Sequence, residues 1–482
     1  MTARKIGAAS LQRLMGGWRA DSARTPTYRQ IEQALRLLIL DGRLPVGIRL
    51  PGERLLAPEL GVSRTTVTAA YAGLRDQGFV SSRHGSGSVT RLPREVPPGP
   101  NQMLQDAEID FSIAAMPAPR EVHEAYAKAL EELPRHLPGI GYEPAGLADL
   151  REAIADGYAR RGLPTSPDQI LVAQGAQHGL VLLLSLLARP GDRIVVDHPT
   201  YSKALEAIRY ASCLPVPVQL PAAGWDMDQL QAAIEQTGAR LAYLLVDFHN
   251  PTGRLMDSEC RHRAAAIAAK TGCYLIVDET MADLWLDQPP PPPLAAFDRT
   301  GRVISIGSMG KSFWGGLRMG WIRADRELIA TLGAIRSAVD MGSPIIEQLA
   351  AAHLLRDPEA SLDQRRNMVR EQRDHLLALM AEHLPEWRLQ RPEGGLSAWA
   401  ELPRPVSTAL AAAAHRLGVR IAPGSRFGVD GAFERYVRLP YALPAPILSD
   451  VVGRLAIAWD QVSRSPGRRP AGKRPAELTS AI

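Results

Sequence analysis

Apolar side chains between residues 27 and 90 recur at the spacing of short amphipathic helices. A first helix is predicted over residues 28–40. A second, over residues 52–60, is closed by Gly61, which suits a C-terminal cap. Ser63 is a candidate N-cap for a third helix. The positions predicted to face a common core are Ile31, Leu35, Leu38, Val67, Ala70, Tyr71 and Leu74.

The order of these elements predicts a winged helix-turn-helix, because two helices joined by a tight turn are followed by a hairpin. The hairpin strands are predicted over residues 79–82 and 88–90, around a glycine-rich tip that would lie along the minor groove. The third helix would enter the major groove of DNA. The alternative is a small helical bundle with arginines placed by chance. The polar groups in the first turn of the third helix are Ser63, Arg64, Thr65 and Thr66.

Beyond residue 110 the pattern changes, and runs of β-branched residues alternate with helical periodicity. Strands that alternate with helices predict βαβ units and a mainly parallel sheet, so the fold class is α/β. The longest apolar stretch, residues 179–188, has about half the length that a membrane span needs and is predicted to be a buried helix. The main strands are predicted at residues 170–172, 193–196, 241–246, 274–277 and 303–306.

Charge and proline content divide the chain of 482 residues. Residues 1–95 carry 15 Lys and Arg against 7 Asp and Glu, a net charge of +8, whereas the whole chain carries +5 and the remainder therefore −3. A basic module on a mildly acidic body is compatible with a nucleic-acid partner and equally with a solvated basic face, so charge alone does not decide between them. The predicted parts are a flexible arm (1–26), the winged helix-turn-helix (27–92), a proline-rich linker (93–109), the body (110–463) and a basic disordered tail (464–482).

Three scattered cysteines, Cys213, Cys260 and Cys273, fit neither a disulfide framework nor a zinc site, so no metal is expected. The N-terminus lacks the apolar run of a signal peptide, and a cytoplasmic location is expected. A proline run at residues 289–293 predicts a stiff surface loop, with docking of a partner as the alternative.

Residues 42–89 resemble the GntR-type winged helix-turn-helix of bacterial transcription regulators, from GRLPVGIRLPGERLL through GVSRTTVTAAYAGL to RHGSGSV. The resemblance implies that the partner is a double-stranded DNA operator. Gly52 stands where the family often has serine, which would remove one phosphate contact. The DNA contacts that the resemblance implies are Arg49, Arg54, Ser63, Arg64, Thr65, Thr66, His84 and Gly85.

A lysine in an apolar, glycine-rich segment is the first candidate for chemistry in the body. Lys311 follows the strand predicted at residues 303–306, and burial there would lower the pKa of its amine and free it to form a Schiff base. Ser308 and Arg318 lie near it in sequence and are candidate phosphate ligands. A solvated surface lysine is the alternative.

Further candidates follow predicted strands, where open α/β sheets bind ligands. Asp278 is suited to the ring nitrogen of pyridoxal phosphate (PLP), since a protonated ring is the better electron sink; a helix cap or an ion pair is the alternative. Asn250 offers an amide to a ring hydroxyl, and Tyr201 would stack on a ring or belong to the core. The backbone groups suited to a phosphate at a helix N-terminus are those of Gly175, Ala176 and Gln177.

Residues 110–463 resemble the fold-type I aminotransferases through HNPTG, the Asp278 strand and SMGKSFWGGLRMGW. The resemblance implies a mostly parallel sheet flanked by helices, with a smaller C-terminal α+β part. It implies PLP joined to Lys311, with Asp278 at the pyridine nitrogen and Asn250 at the ring hydroxyl. The phosphate ligands that it implies are Gly175, Ala176, Gln177, Ser308 and Arg318.

Three other positions carry implications of the same resemblance. Arg438, in RYVRLPYA, matches an arginine that grips a substrate carboxylate with two hydrogen bonds. Tyr142, in GYEPAG, matches a tyrosine that reaches the phosphate of the partner subunit. Relatives carry a tyrosine two residues after the aspartate, where this chain has Thr280, and the lost phenol weighs against turnover more than against cofactor binding.

The order of the two parts resembles the MocR/GabR group of bacterial regulators. That resemblance implies a homodimer whose DNA binding responds to an amino acid, an amine or PLP itself. Three functions stay open: a PLP-dependent regulator with little or no turnover, which is favoured; an aminotransferase that also binds DNA; and a DNA-binding scaffold without a cofactor. The first two share Lys311, so the motifs do not separate them.

Overall fold

The computed structural model of the chain describes residues 5–16, 18, 26–40, 44, 48–76, 78–83, 87–91 and 109–464. Two compact units divide the chain, Met1–Leu104 and Gln105–Ile482. Residues 93–108 of the predicted linker and residues 465–482 of the predicted tail lie outside the described ranges, as do two predicted DNA contacts in the wing, His84 and Gly85.

The described part of the N-terminal unit contains four helices and a hairpin. They are α1 (Ala8–Met15), α2 (Thr27–Leu40), α3 (Glu53–Leu60), α4 (Arg64–Asp76), β1 (Val80–Arg83) and the antiparallel β2 (Gly87–Thr90). The predicted caps are confirmed, because Gly61 ends α3 at φ +61° and Ser63 Oγ accepts a hydrogen bond from the Thr66 amide at 3.1 Å. The three predicted helices and the hairpin are therefore confirmed to within one or two residues.

The flexible arm predicted over residues 1–26 is wrong in its middle part. Residues Ala8–Met15 form α1, and Leu11 and Met15 are buried in the core of this unit. The Ile6 amide also donates a hydrogen bond to the Arg49 carbonyl at 3.1 Å. Two apolar residues one turn apart are a weak signal in so short a segment, and packing against α3 stabilises a helix that the sequence alone would not form.

The second unit opens with β3 (Ile109–Phe111), so the last residue of the predicted linker, Ile109, belongs to a strand instead. A seven-stranded sheet follows in the order β4-β10-β9-β8-β7-β5-β6. Within it β10 runs antiparallel to both of its neighbours, while the other pairings are parallel. Its strands are β4 (Ile170–Ala173), β5 (Arg193–His198), β6 (Leu214–Gln219), β7 (Leu241–Leu244), β8 (Tyr274–Asp278), β9 (Val303–Ser308) and β10 (Gly320–Arg323).

Successive residues of these strands enter two different apolar cores. Leu171 and Ile276 belong to one buried cluster, whereas their neighbours Val172 and Val277 belong to the other. Because side chains alternate along a strand, the sheet is buried on both faces, as is typical of parallel sheets covered by helices. Because β7, β8 and β9 are parallel, their carboxyl ends and the segments that follow them lie at one edge of the sheet, and Asn250, Asp278 and Lys311 lie there.

Helices cover the sheet, and a smaller sheet lies in the order β11-β12-β14-β13-β3. Its remaining strands are β11 (Arg388–Leu389), β12 (Ser397–Glu401), β13 (Val419–Pro423) and β14 (Tyr436–Pro440). The apolar stretch predicted to be a buried helix lies mostly in α7, which confirms that prediction. Among the described residues, no helix has the length and apolar character needed to cross a bilayer. The helices are α5 (Arg120–Glu132), α6 (Ala148–Arg160), α7 (Ala176–Leu187), α8 (Ser202–Tyr210), α9 (Met227–Thr237), α10 (Ser258–Thr271), α11 (Met309–Ser312), α12 (Arg326–Arg336), α13 (Ile345–Arg356), α14 (Glu359–His383), α15 (Ser407–Arg416) and α16 (Ala445–Arg464), the last of which includes the first residue assigned to the tail.

Candidate functional site

The segment after β9 presents Lys311 from a single helical turn, α11. Ser308 begins this turn, and its Oγ accepts a hydrogen bond from the Gly310 amide at 3.1 Å. The Lys311 Nζ donates to the Ala114 carbonyl at 2.6 Å. Burial lowers the pKa of Lys311 to about 8; nearby Arg438 acts in the same direction and Asp278 opposes it. The amine is therefore far more often uncharged near neutral pH than that of a surface lysine.

Asp278 ends β8 beside this lysine segment, paired in register with Ile306 of β9. Its Oδ2 accepts a hydrogen bond from the buried Tyr243 hydroxyl at 2.7 Å, and its Oδ1 accepts one from the Thr280 amide at 3.0 Å. Both bonds fix the carboxylate, since each oxygen has a donor. The Thr280 hydroxyl is also buried but has no hydrogen-bond partner among the described residues, which leaves a polar group available to a ligand at this point.

The turn before α7 provides a cradle of backbone amides beside Arg318. Gly175 has φ +88°, and an added Cβ there would lie 3.3 Å from the Arg318 guanidinium. A Cβ on Gly320 of the adjoining strand would approach Gly175 Cα to 2.7 Å, so both positions require glycine. Arg318 Nη2 donates to the Gln174 carbonyl at 2.9 Å. A helix N-terminus with an arginine beside it is suited to a phosphate.

Nine of the predicted cofactor residues line a single cavity of about 180 Å³. The cavity also includes Thr280, Met281 and Asp247. The hydrogen-bond donors, the lysine amine and the glycine cradle of this cavity fit a phosphorylated pyridine aldehyde. The buried Thr280 hydroxyl, which has no hydrogen-bond partner among the described residues, supports the same fit. The nine residues are Gly175, Ala176, Gln177, Tyr201, Asn250, Asp278, Ser308, Lys311 and Arg318.

Arg438 lies on β14 and contacts the cavity through Asn250. Its Nη1 donates to Asn250 Oδ1 at 3.3 Å, and its Nη2 donates to the Ser112 carbonyl. The guanidinium carbon lies 5.0 Å from the ring centre of Phe427, and the buried Nε has no hydrogen-bond partner within the described ranges. Burial, followed by the charge of Arg426, lowers the pKa of Arg438 to about 10, so the group remains a cation near neutral pH.

Tyr142 is separate from this cavity. Its side chain is 56% exposed, and it is absent from the residues that line the cavity of its own chain. The implied role toward a partner subunit stays a prediction.

Two buried residues near the cavity were missed by sequence reasoning. Asp247 lines it and is held by Arg261, with 2.5 Å between Oδ1 and Nη2. Its position just beyond the end of β7 could have identified Asp247 as a candidate, because ligand-binding residues follow the carboxyl ends of such strands. Tyr243, the donor to Asp278, lies inside β7 and carries no such signal.

In the N-terminal unit, the predicted DNA contacts fall into two groups. Arg64 and Thr65 are exposed in the first turn of α4, next to Ser63 and Thr66, whose hydroxyls lie 2.8 Å apart. Arg54 is exposed on α3. Arg49 is different, because it bridges to Val89 of the hairpin, and an added Cβ on Gly87 would lie 2.7 Å from its Nε. Arg49 is therefore associated with the hairpin rather than with α4.

A covered α/β sheet with a lysine, an aspartate and an anion cradle at one edge has the architecture of the aminotransferases, here preceded by a winged helix-turn-helix. The family model described as Aminotransferase class I and II matches residues 109–455, and the model of the bacterial regulatory proteins of the gntR family matches residues 27–89. The chain belongs to the aminotransferase class I and II family and carries a gntR-family module at its N-terminal side.

Two curated relatives named as regulators match most of the length of this chain. The chain is 29% identical over 456 residues to the uncharacterized HTH-type transcriptional regulator YisV of Bacillus subtilis, covering 86% of this chain and 92% of the relative. It is 28% identical over 436 residues to the probable rhizopine catabolism regulatory protein MocR of Rhizobium meliloti, covering 84% and 87%. The predicted MocR-type combination of a GntR module with an aminotransferase-like domain is confirmed.

Among solved structures, the body is similar to LysN, an α-aminoadipate aminotransferase of Thermus thermophilus complexed with N-(5'-phosphopyridoxyl)-L-leucine. The TM-score is 0.69 with 27% sequence identity, over 75% of this chain and 95% of LysN. The predicted fold class is therefore confirmed.

Proposed function

We propose that this chain is a transcription regulator that binds operator DNA through its N-terminal module and senses an amino acid, an amine or PLP itself through its body. The observation that carries the proposal is the shared cavity of Lys311, Asp278 and the Gly175 cradle, in a chain that also has a gntR-family module. PLP is the cofactor that the aminotransferase family and its phosphopyridoxyl-complexed structural neighbour imply.

The residues that would hold the cofactor have distinct tasks. Lys311 supplies the amine that attaches it, and burial keeps a useful fraction of that amine uncharged. Asp278, fixed by Tyr243, would hold a proton on the pyridine nitrogen, while the α7 N-terminus, Ser308 and Arg318 would bind the phosphate. When bound, PLP would supply an aldehyde that condenses with amines and a pyridine ring that withdraws electrons.

Arg438 would select effectors that carry a carboxylate. Its guanidinium is buried, it contacts Asn250 at the cavity, and its Nε has no partner among the described residues. An α-carboxylate would satisfy that donor and compensate the buried charge. An effector changes DNA affinity only through its different affinity for two states of the protein, so effector binding and operator binding must be reciprocally coupled.

The homodimer and the cytoplasmic location belong to the same proposal. Tyr142 is exposed and does not line the cavity of its own chain, which is consistent with a role toward the phosphate of a partner subunit. Light scattering of the purified protein should give twice the chain mass of 52.3 kDa, and a monomer at micromolar concentration would contradict the dimer.

The proposal is tested by adding PLP to the purified full chain and reducing it with borohydride. Peptide mass analysis should find the adduct on Lys311. Fluorescence anisotropy with DNA from the promoter beside the gene should then show an operator affinity that changes when amino acids or amines are titrated. A chain that takes up no PLP would overturn the sensing function, even if it still bound DNA.

Aminotransferase turnover is the second candidate, favoured by the complete set of Lys311, Asp278, Asn250 and Arg438. Thr280, in place of a tyrosine, weighs against it because a hydroxyl on a short side chain cannot replace the phenol at the ring. Steady-state transamination assays separate the two functions. Sustained turnover would establish the enzyme, whereas a single half-reaction without turnover supports the regulator.

A further inference from the structure

The larger cavity of the body, about 440 Å³, lies outside the cofactor site and shares no lining residue with it. It is bounded by α6, the segment after β8, the proline run at residues 289–293 and the start of α14. Its volume falls in the range of small-molecule sites, roughly 300–1,000 Å³.

Aromatic side chains form much of its wall. Trp285, Trp321 and Tyr158 line the cavity; the two tryptophans are only partly buried, and Tyr158 is buried. The Trp321 indole N–H donates to the Tyr158 hydroxyl at 3.1 Å, and the Arg366 guanidinium lies 4.4 Å from the centre of the Trp285 ring. Both indoles are thus held in place with part of their surface still open to the cavity, an arrangement that favours a planar apolar ligand.

The proline run forms another part of the wall. Pro289, Pro290 and Pro292 line the cavity, and the carbonyl of Pro292 accepts a hydrogen bond from buried Arg261 at 3.1 Å. Proline restricts the backbone before any ligand arrives, so this wall loses little conformational freedom on binding. The stiff loop predicted from the sequence therefore forms one side of a preformed cavity.

The charges around the cavity leave one cation without an acidic partner among the described residues. Arg161 pairs with Glu279 at 3.0 Å, and Arg366 pairs with Glu359 at 3.0 Å. Arg160 is exposed, and its one hydrogen bond within the described part of the chain is a long contact of 3.5 Å to the Leu355 carbonyl. A ligand with a negative group beside its ring would compensate this arginine.

We propose that this cavity is a second ligand site that binds a small aromatic carboxylate, with the ring between the indoles and the prolines and the carboxylate on Arg160. The site is connected to the cofactor cavity by the segment after β8. Thr280 and Met281 line the cofactor cavity, and Asp283 lines the second one. Asp283 Oδ2 accepts a hydrogen bond from Ser312 Oγ at 2.8 Å, and Ser312 directly follows Lys311.

Calorimetry on the full-length protein loaded with PLP tests the site, with benzoate and indole-3-carboxylate as probes and benzamide as the neutral analogue. Both carboxylates should bind, and benzamide should bind roughly tenfold more weakly or worse, because it lacks the charge-assisted bond. Arg160→Gln should weaken both carboxylates by a similar factor. No heat from either carboxylate at millimolar concentration would overturn the proposal.

Two control variants distinguish binding at this site from attraction to other arginines of the protein. Arg356→Gln removes an exposed arginine that pairs with Asp149 and does not line the cavity, so affinity should be unchanged. Arg438→Gln removes the cation proposed to bind effector carboxylates at the cofactor site and does not line this cavity, so the binding that depends on Arg160 should persist in it. Equal losses of carboxylate affinity in Arg160→Gln and Arg356→Gln would indicate nonspecific attraction. Loss of affinity in Arg438→Gln alone would assign the probe to the effector site. Either result would overturn the proposed second site.

The connection to Lys311 has its own readout, which rests on the proposed cofactor. Saturating probe should shift the visible absorbance of the bound PLP, and Ser312→Ala should abolish that shift while leaving calorimetric affinity intact. Binding with an unchanged spectrum in the wild-type protein would overturn the connection through Asp283 but not the site. A protein without PLP still gives the calorimetric result, so failure of the proposed function and failure of this site are distinguishable.

Discussion

The first turn of α4 and the cavity around Lys311 place their candidate functional side chains in opposite surroundings. Arg64 and Thr65 are exposed on α4, whereas Asp278 is buried and held by Tyr243, and burial lowers the pKa of Lys311 to about 8. The phosphates of DNA carry the negative charge that would pair with the module's basic and polar groups, so those groups can remain solvated in the free protein. The cavity must set the pKa of the Lys311 amine before a ligand binds, which requires burial and neighbours held in fixed positions.

These different surroundings predict different effects of substitutions in the two regions. Replacing an exposed arginine of α4, such as Arg64, should remove a predicted contact with DNA and change the protein structure little. Removing a buried group from the cavity changes the ligand site and leaves its partners unsatisfied. Substitutions of exposed α4 residues should therefore affect mainly DNA affinity, whereas substitutions in the cavity should also disturb neighbouring residues.

The largest effect is expected from Lys311→Ala, which removes the lysine amine that lines the cavity. Covalent attachment of PLP should be lost completely, and borohydride reduction should leave no adduct at this position, as checked by peptide mass analysis. The module should still bind DNA, because it lies in the other compact unit. Lys203→Ala, which removes a surface lysine paired with Glu206, is the matched control and should retain the adduct.

The fold was largely predictable because its signals are local or repetitive. The helices of the module are marked by Gly61 and Ser63, and the parallel strands are continuous apolar runs. β7 is two residues shorter than predicted, because the Leu245 amide donates to the Asp197 carboxylate at 3.0 Å instead of extending the strand. That bond joins residues far apart in sequence, and no local pattern contains it.

The next largest effect is expected from Arg64→Ala. Loss of one arginine that contacts bases or phosphates should weaken operator binding by roughly ten- to a hundredfold, corresponding to about 1–3 kcal/mol. Anisotropy titrations at fixed salt measure this, and the absorbance of bound PLP should not change. Arg75→Ala, at the far end of the same helix, is the control. Equal losses in both variants would contradict the assignment of the first turn to the groove.

The candidate site was predictable only where motifs mark it. Nine residues came from strand ends and glycine-rich turns, and they do line one cavity, but their roles stay predictions until a ligand is bound. Tyr243 could not be found, because a tyrosine inside a strand has the pattern of a core residue. The orientation of Arg438 toward Asn250 depends on β14 of the smaller sheet, which is distant in sequence from the HNPTG segment.

A smaller effect is expected from pH, through the lowered pKa of Lys311. With a pKa of about 8 the uncharged fraction of this amine rises roughly fivefold between pH 7 and pH 8. The rate at which the cofactor-free protein attaches PLP should follow that rise and level off above the pKa. Absorbance stopped-flow measures it. Arg438→Gln removes a charge that lowers this pKa, so its midpoint should move to higher pH, and a midpoint near that of a surface lysine in the wild type would contradict the buried amine.

The smallest effect is expected from Tyr71→Phe, which tests whether the module's stability is independent of its DNA contacts. The buried Tyr71 hydroxyl donates to the Pro51 carbonyl at 2.9 Å and ties α4 to the start of α3. Removing that bond should cost about 1 kcal/mol, which corresponds to roughly fivefold faster hydrogen exchange of the α4 amides by mass spectrometry. Exchange in the seven-stranded sheet should not change, and operator affinity should fall far less than in Arg64→Ala. If Tyr71→Phe weakened DNA binding as much as Arg64→Ala does, the exposed side chains would not act alone, because the position of α4 would then limit recognition as strongly as its arginine.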